Sequence, residues 1–392
     1  MRFLHPDGTT VHLAYCANVH PAPDLRAVLA QLATHAEPVR ERLGTDRLGV
    51  GLWLAREVAA ELVAEPASVR ALRAELDRRG LEVVTLNGFP YRGFGDAVVK
   101  HRVYTPDWSD PARLRHTLDL ARLLAELMPD DADHASVSTL PLGWAGSWPA
   151  ERAALARRHL DTLSAELADL AERTGRDVRI AFEPEPGCVL ETTGDAVHHL
   201  APAAGPRLGV CLDTCHLAVA HEQPADALAA LADAGLEVVK LQASAALVAP
   251  RPHTSGVREA LSPYAEPRFL HQTREPSPDG LLGVDDLGTA LACGPGGAGG
   301  LPGREPWRIH FHMPLSAAPP PPLTTTRPVL EETVALLLGG PVARTAHVEV
   351  ETYTWPVLPD APGRDALVDG IAAELAWARE LLLHNGLKEL NR

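Results

Sequence analysis

Residues 151–185 read ERAALARRHLDTLSAELADLAERTGRDVRIAFEPE. The first part, 151–175, has apolar residues at helical spacing and ends in Gly175, a common helix terminator. The short apolar run 177–185 follows directly and predicts a strand. A long amphipathic helix that leads straight into a strand is the repeating unit of proteins with parallel sheets. This strand ends in Glu183 and Glu185, which points to chemistry at one end of the sheet.

The same unit recurs along the chain, with further amphipathic segments at 24–44, 57–80 and 363–386. The predicted strands are 11–19, 48–54, 81–89, 135–143, 177–185, 208–216, 236–244 and 346–354. Eight such units predict an α/β fold, the (β/α)8 TIM barrel, as a single domain over residues 1–392. A doubly wound open sheet is the alternative, but no glycine-rich nucleotide loop follows the first strand.

Composition narrows the class of protein. The formal net charge is -15, which disfavours binding to phosphate backbones, so we expect no nucleic-acid partner. The 5 cysteines are too few and odd in number for a disulfide framework. No signal-peptide pattern opens the chain and no apolar run approaches the ~20 residues of a membrane span. We therefore expect a cytoplasmic protein without membrane insertion; its oligomeric state stays open.

One segment interrupts the repeat. Residues 245–306 show little periodicity, are rich in proline and glycine, and separate strands seven and eight. A long insertion of this kind is either a flexible loop or a functional element such as a cap over the barrel mouth. Both readings stay open at the level of sequence.

Strand parity sorts the polar residues, because alternate residues of a barrel strand face the helices and should be apolar. In strands five, six and eight the apolar positions leave Glu183, Asp213 and Glu351 pointing inward near the strand ends. Barrel active sites form at that end. Three crowded carboxylates repel one another unless a cation compensates, so we predict a divalent metal: Mn²⁺, Mg²⁺, Co²⁺ or Zn²⁺.

Further metal ligands are candidates on the same reasoning. Gln242 and Lys240 share the inward face of strand seven, and His216 follows Asp213 by three residues. In WRIHFHMPL (307–315), His310 and His312 share the polar face of a predicted strand. We take Gln242, His216, His310 and His312 as candidate ligands, with an orienting role for His216 as the alternative. Lys240 is a candidate for substrate contact or for pairing with a buried carboxylate.

Other polar and aromatic residues follow predicted strands and could contact a substrate at the mouth. A surface or core role is the alternative for each. These candidates are Asn18, His20, Asn87, Tyr91, Arg92, Trp144 and Glu185.

The motifs GVCLDTCH (209–216), AFEPEPG (181–187) and VEVET (348–352) resemble those of the xylose isomerase-like TIM-barrel superfamily, which includes sugar isomerases and epimerases and the endonuclease IV group. The resemblance implies that Glu183, Asp213 and Glu351 bind a metal and that Glu183 and Glu351 are catalytic. His310 and His312 resemble the Asp-x-His that follows strand seven in the endonuclease branch. Strand seven commonly offers a histidine in this superfamily, whereas this chain has Gln242.

A closer resemblance is to EboE-type proteins of metabolite-traffic gene clusters. It rests on HLAYCANVHPAPDL (12–25), TLNGFPYRGFGDAVVKHRVYTPDW (85–108) and STLPLGW (138–144). Together the resemblances imply a metal-dependent isomerase or epimerase that acts on a sugar-like or cyclitol-like polyhydroxylated molecule. A hydrolase of endonuclease IV type and a non-catalytic metabolite-handling protein on the same fold are the alternatives.

Overall fold

The computed structural model describes residues 1–203, 205–292 and 300–390. The glycine-rich run 293–299, part of the insertion defined from sequence, lies outside the described residues. The strands in chain order are β1 (Arg2–Leu4), β2 (Thr10–Cys16), β3 (Leu48–Trp53), β4 (Leu81–Glu82), β5 (Thr85–Asn87), β6 (Ala135–Thr139), β7 (Val178–Phe182), β8 (Leu208–Asp213), β9 (Val238–Ala243), β10 (Ala246–Ala249), β11 (Thr273–Ser277), β12 (Gly280–Val284), β13 (Trp307–His312), β14 (Thr324–Thr325), β15 (His347–Val350) and β16 (Lys388–Glu389).

The α-helices lie mostly between the strands and pack around them. They are α1 (Leu25–Gln31), α2 (Glu37–Leu43), α3 (Arg56–Ala64), α4 (Pro66–Arg78), α5 (Pro111–Leu127), α6 (Ala150–Thr174), α7 (Thr193–Leu200), α8 (Thr214–Val219), α9 (Pro224–Asp233), α10 (Ser255–Leu261), α11 (Leu287–Ala292), α12 (Arg327–Leu338) and α13 (Arg364–His384). In the described part of the chain, no helix is both long and apolar enough to cross a bilayer.

The barrel closes, which confirms the predicted (β/α)8 fold and excludes the open sheet. Parallel pairing runs from β2 through β3, β5, β6, β7, β8, β9 and β15, and β15 pairs back with β2. The third barrel strand is interrupted, so that β4 and β5 each pair with part of β3. The helix α6 ends as predicted, at Gly175, which adopts the left-handed conformation (φ 70°). The strand β7 follows it and leads to Glu183.

The segment between β9 and β15 is a folded sheet. Five antiparallel strands pair in the order β12-β11-β13-β10-β14, over a hydrophobic cluster that includes Leu247, Trp307 and Phe311. This corrects the flexible-loop reading for the described residues. It also corrects the boundary at 306, because β13 and β14 extend the sheet to Thr325. The helix α8, which follows β8, contacts β10 and β13, so the sheet lies at the carboxyl ends of the barrel strands.

Lys240 and Glu349 form a buried ion pair in the barrel interior, below the strand ends. The ammonium of Lys240 lies 2.6 Å from a carboxylate oxygen of Glu349, and neither side chain is exposed. Burial alone lowers the pKa of Lys240, but Glu349 outweighs it and raises that pKa. Gly51 makes room for this pair, since a Cβ at that position would lie 1.2 Å from Glu349 Oε1. The pair neutralises one acidic side chain inside an otherwise acidic barrel.

We predict that Lys240→Met lowers the free energy of unfolding by about 3–5 kcal/mol, because it leaves Glu349 buried without a counter-charge. The double variant Lys240→Met/Glu349→Leu should recover most of that loss, since it removes both charges. Urea denaturation in the presence of a chelator measures both. Lys388→Met, at an exposed lysine, is the control and should change stability by less than about 0.5 kcal/mol. A single variant as stable as the control would contradict the assignment.

Candidate metal centre

Three carboxylates meet where the barrel strands end. Asp213 is the last residue of β8, and Glu183 and Glu351 directly follow β7 and β15. One carboxylate oxygen from each lies within 4.8 Å of one from each of the other two. All three residues are at most 4% exposed. The structure therefore brings together the acids that strand parity placed inside the barrel.

Local structure fixes one oxygen of Asp213 and leaves the other free. Asp213 caps the short helix α8: its Oδ1 accepts hydrogen bonds from the amides of Cys215 (2.7 Å) and His216 (3.0 Å). The hydroxyl of Ser244 donates a third bond to the same oxygen at 2.7 Å. Burial opposes ionisation, but His216, His312 and these hydrogen bonds outweigh it and lower the pKa of Asp213. Its Oδ2 is buried without a hydrogen-bond partner.

Glu351 is held by three side-chain amides. Its Oε1 accepts from Asn18 Nδ2 (2.6 Å) and Asn87 Nδ2 (3.2 Å), and its Oε2 accepts from Gln242 Nε2 (2.7 Å). Burial raises the pKa of Glu351 to about 7, with Asp213 adding to the shift and His312 opposing it. Gln242 thus positions a carboxylate through its nitrogen, while its oxygen has no partner.

Glu183 is the least restrained of the three acids. Its Oε2 is buried without a partner, and the closest imidazole nitrogen, His216 Nδ1, is 3.9 Å from its other oxygen. Burial raises the pKa of Glu183 well above its usual range, and the charges of Glu351 and Asp213 raise it further. The three carboxylates cannot all be ionised at low cost without a compensating cation.

Three buried histidines present their Nε2 atoms to the same region. Their Nδ1 atoms face acceptors: Pro184 O for His216 (2.9 Å), Gln272 Oε1 for His310 (2.7 Å) and Glu351 O for His312 (2.9 Å). These contacts assign the proton of each neutral ring to Nδ1, which leaves a lone pair on each Nε2. An Nδ1–H bonded to an oxygen acceptor is the usual orientation of a metal-binding histidine.

Two of these lone pairs face each other. His216 Nε2 and His310 Nε2 are 3.0 Å apart. Burial lowers the pKa of His216 to about 4 and that of His310 well below its usual range, so neither ring readily takes the proton that would bridge them. Nitrogens bound to one ion at about 2.0–2.1 Å lie roughly 3 Å apart, so a shared cation fits this spacing. His312 Nε2 has no hydrogen-bond partner and lies 4.0 Å from Asp213 Oδ2.

Most of these groups, though not Asp213, line one cavity of about 510 Å³, a volume that includes its open mouth. The predicted residues that line it are Asn18, Asn87, Glu183, Glu185, His216, His310, His312 and Glu351. Glu185 accepts a hydrogen bond from the hydroxyl of Tyr104 (2.8 Å) and one from Gln272, and its Oε2 is unpartnered. Burial raises the pKa of Glu185 to about 8.

Five residues predicted to contact substrate, His20, Tyr91, Arg92, Trp144 and Lys240, are not among those that line this cavity. The ring of His20 stacks on His35, 4.0 Å between centroids. Trp144 packs against Tyr104, 4.9 Å between centroids. The ammonium of Lys240 is committed to Glu349, in the layer below.

The other two, Tyr91 and Arg92, follow the third barrel strand but turn toward a neighbouring cleft. The ring of Tyr91 contacts that of His116, and the exposed Arg92 lies 3.5 Å from Glu57. Parity does not apply beyond the end of a strand, so sequence could not place either side chain.

Several lining or supporting residues were not predicted from sequence. Tyr353 had a usable signal, since it follows Glu351 by two residues. Phe94 and Phe269 lie in loops without periodicity, and Tyr104 ends a short 3-10 helix (Lys100–Tyr104). Gln272 precedes the strand β11 of the inserted sheet. Only the folded structure brings these residues to the barrel mouth.

The profile of the xylose isomerase-like TIM barrel family matches residues 48–274. The chain belongs to this family. No curated protein matches the chain.

Solved structures with similar folds include a xylose isomerase domain protein of Alicyclobacillus acidocaldarius, at 15% identity, TM-score 0.49, and coverage of 95% of this chain and 99% of that one. A xylose isomerase-like TIM barrel protein of Mycobacterium smegmatis, in complex with magnesium, is 12% identical over 93% of this chain and 98% of that one, TM-score 0.47. The 3-keto-D-glucoside 4-epimerase of E. coli is 15% identical over 59% and 79%, TM-score 0.39.

We predict that Mn²⁺ stabilises the folded protein by binding at Asp213 and its neighbours. At a metal concentration about 100 times the Kd, linkage gives about 2.7 kcal/mol, which for a chain of this size raises the Tm by roughly 3 °C. Differential scanning fluorimetry of the chelator-treated protein measures the shift. Asp213→Asn should abolish it, whereas Asp233→Asn, at an exposed helix end, should retain it. Equal shifts in both variants would place the metal elsewhere.

Proposed function

We propose that this protein is a divalent-metal-dependent isomerase or epimerase that acts on a sugar-like or cyclitol-like polyhydroxylated molecule. The observation that carries the proposal is the convergence of Glu183, Asp213 and Glu351, with unpartnered oxygens on two of them, at the active end of the barrel. A pair of carboxylates beside a cation is the arrangement that proton transfer next to a carbonyl requires.

The residues that would hold the cation are Glu183, Asp213, Glu351 and His312. The buried atoms Glu183 Oε2, Asp213 Oδ2 and His312 Nε2 lack hydrogen-bond partners, and a cation would satisfy them together. In this assignment Gln242 positions Glu351 and His312 replaces it as the fourth ligand. Three carboxylates and one imidazole suit Mn²⁺, Mg²⁺, Co²⁺ or Zn²⁺. When bound, such a cation supplies Lewis acidity to the carbonyl and hydroxyl oxygens of the substrate.

Glu183 and Glu351 then move the proton at the substrate carbon. Glu183 has a free oxygen and few restraints, so it can approach the carbon and remove or return a proton. Glu351 is fixed by Asn18, Asn87 and Gln242 and faces the other side of the site. Asp213 stays ionised under its hydrogen bonds and serves as a permanent ligand.

In this proposal the inserted sheet is a cap over the barrel mouth and belongs to the same domain as the barrel. It supplies His310 and His312 from β13 and Gln272 beside β11, so the site is incomplete without it. A cap that contributes ligands also excludes water from the reacting atoms. The resemblance of its sequence motifs to EboE-type proteins supports our proposal of a metabolite-traffic pathway in the cytoplasm. The formal net charge of -15 disfavours a nucleic-acid partner.

One observation favours a second candidate function. The facing Nε2 atoms of His216 and His310, with Glu185 within 4.8 Å, could hold another cation. Several metal ions would suit a hydrolase of the endonuclease IV type. About one ion per chain by elemental analysis supports the isomerase, and about three tightly bound Zn²⁺ would support the hydrolase.

Proton exchange tests the proposed chemistry. The Mn²⁺-loaded protein should incorporate deuterium from D₂O into ketose and cyclitol-ketone substrates, followed by NMR. At Mn²⁺ concentrations that keep each variant loaded, Glu183→Gln and Glu351→Gln should each slow exchange by about 10²–10⁴-fold, because each removes a proton carrier. Glu57→Gln, at an exposed residue, should exchange like the wild type. Binding without exchange in the wild type would favour the non-catalytic alternative.

The fourth ligand can be tested separately. We predict that His312→Ala weakens Mn²⁺ binding by at least about 10-fold, because an imidazole ligand is lost, whereas Gln242→Ala weakens it less, because only support for Glu351 is lost. Isothermal titration calorimetry measures both affinities. A larger loss of Mn²⁺ affinity in Gln242→Ala than in His312→Ala would instead favour Gln242 as the fourth ligand.

A further inference from the structure

Part of the cavity wall is aromatic, in contrast to its acidic floor. Phe89, Phe94, Phe269 and Tyr353 line it, and we call these four residues the aromatic collar. The ring centroids of Phe94 and Phe269 are 5.2 Å apart, and those of Phe269 and Tyr353 are 4.9 Å apart. Leu270, Pro90, Val99 and Val103 extend the same apolar wall.

The polar side chains near the collar are committed to other groups. The hydroxyl of Tyr104 donates to Glu185, and that of Tyr353 lies 3.3 Å from His310 Nε2. The ammonium of Lys100 pairs with Asp286. Among the described side chains of the collar and its apolar extension, the only polar atom is the hydroxyl of Tyr353, which already lies beside His310.

This contrast restricts the substrate. A hydroxyl placed against the collar would lose its hydrogen bonds to water without replacement, which is unfavourable. An aryl or alkyl group in the same place would bury apolar surface against aromatic rings, which is favourable. A fully hydroxylated free sugar therefore fits the acidic floor of the site better than its aromatic wall.

We infer that the substrate is amphipathic: a polyhydroxylated ring or chain that bears an aryl or alkyl substituent on the side away from the reacting carbons. This inference rests on the proposed function, because the metal end of the site must hold the polar part. The collar would then determine specificity, while the carboxylates determine the reaction.

Calorimetry with matched pairs of probes tests the inference. D-Glucose, D-galactose and D-xylose are each compared with their phenyl β-glycosides on the Mn²⁺-loaded full-length protein and on the chelator-treated protein. For at least one pair, the phenyl glycoside should bind at least about 10-fold more tightly than the free sugar, and only when metal is present.

Substitutions in the collar test whether it causes the preference for the phenyl glycoside over the free sugar. Phe94→Ala and Phe269→Ala should reduce the preference for the phenyl glycoside to less than about 3-fold. Phe94→Leu and Phe269→Leu give the same comparison with less disturbance of packing. Tyr91→Ala, at an aromatic residue of the neighbouring cleft, is the matched control and should keep the full preference.

The outcomes separate this inference from the function on which it rests. Metal-dependent binding of free sugars and phenyl glycosides with equal affinity overturns the amphipathic substrate and leaves the proposed function standing. A preference that survives both collar substitutions also overturns it. The absence of metal-dependent binding to every probe contradicts the proposed function and, with it, the inference.

Discussion

Repulsion among buried carboxylates is the constraint on which the rest of this structure depends. Glu183, Asp213 and Glu351 lie within a few ångströms of one another in a site that water hardly reaches. Neighbouring groups reduce this repulsion. Lys240 neutralises Glu349 in the layer below, and the amides at the start of α8 stabilise the ionised form of Asp213. Three side-chain amides donate hydrogen bonds to Glu351. The pKa values of Glu183 and Glu351 stay raised nonetheless, so the protein alone does not complete the compensation. A divalent cation would complete it.

The inserted sheet gives the site its particular character. Without the insertion, the seventh barrel strand, β9, would provide Gln242 near its end. This side chain offers an oxygen or a nitrogen but no imidazole. The strand β13 instead carries His310 and His312 across the barrel mouth, each with its Nδ1 proton bonded to an oxygen. The same insertion contributes Phe269 to the aromatic collar. One segment therefore supplies two histidines of the candidate metal centre and part of the apolar wall.

Sequence predicted the barrel and its acidic floor because both follow from local periodicity. A strand alternates every two residues, so Val348 and Val350 fix the inward direction of Glu351 and, one layer deeper, of Glu349. Periodicity ends where the strand ends, which is why it could not show that Tyr91 and Trp144 lie outside the cavity lining or that Phe94 lies within it. The sheet between β9 and β15 escaped prediction for a related reason: its short antiparallel strands are paired by contacts distant in sequence.

The central claim is that the carboxylates of the barrel and the imidazole of the inserted sheet form one metal centre. The most direct measurement is anomalous diffraction, at the manganese absorption edge, from crystals grown with Mn²⁺. The account predicts an ion with Glu183, Asp213, Glu351 and His312 within about 2.0–2.6 Å. Diffraction to atomic detail without an ion among the three carboxylates would contradict it, as would an ion there that leaves His312 uncoordinated.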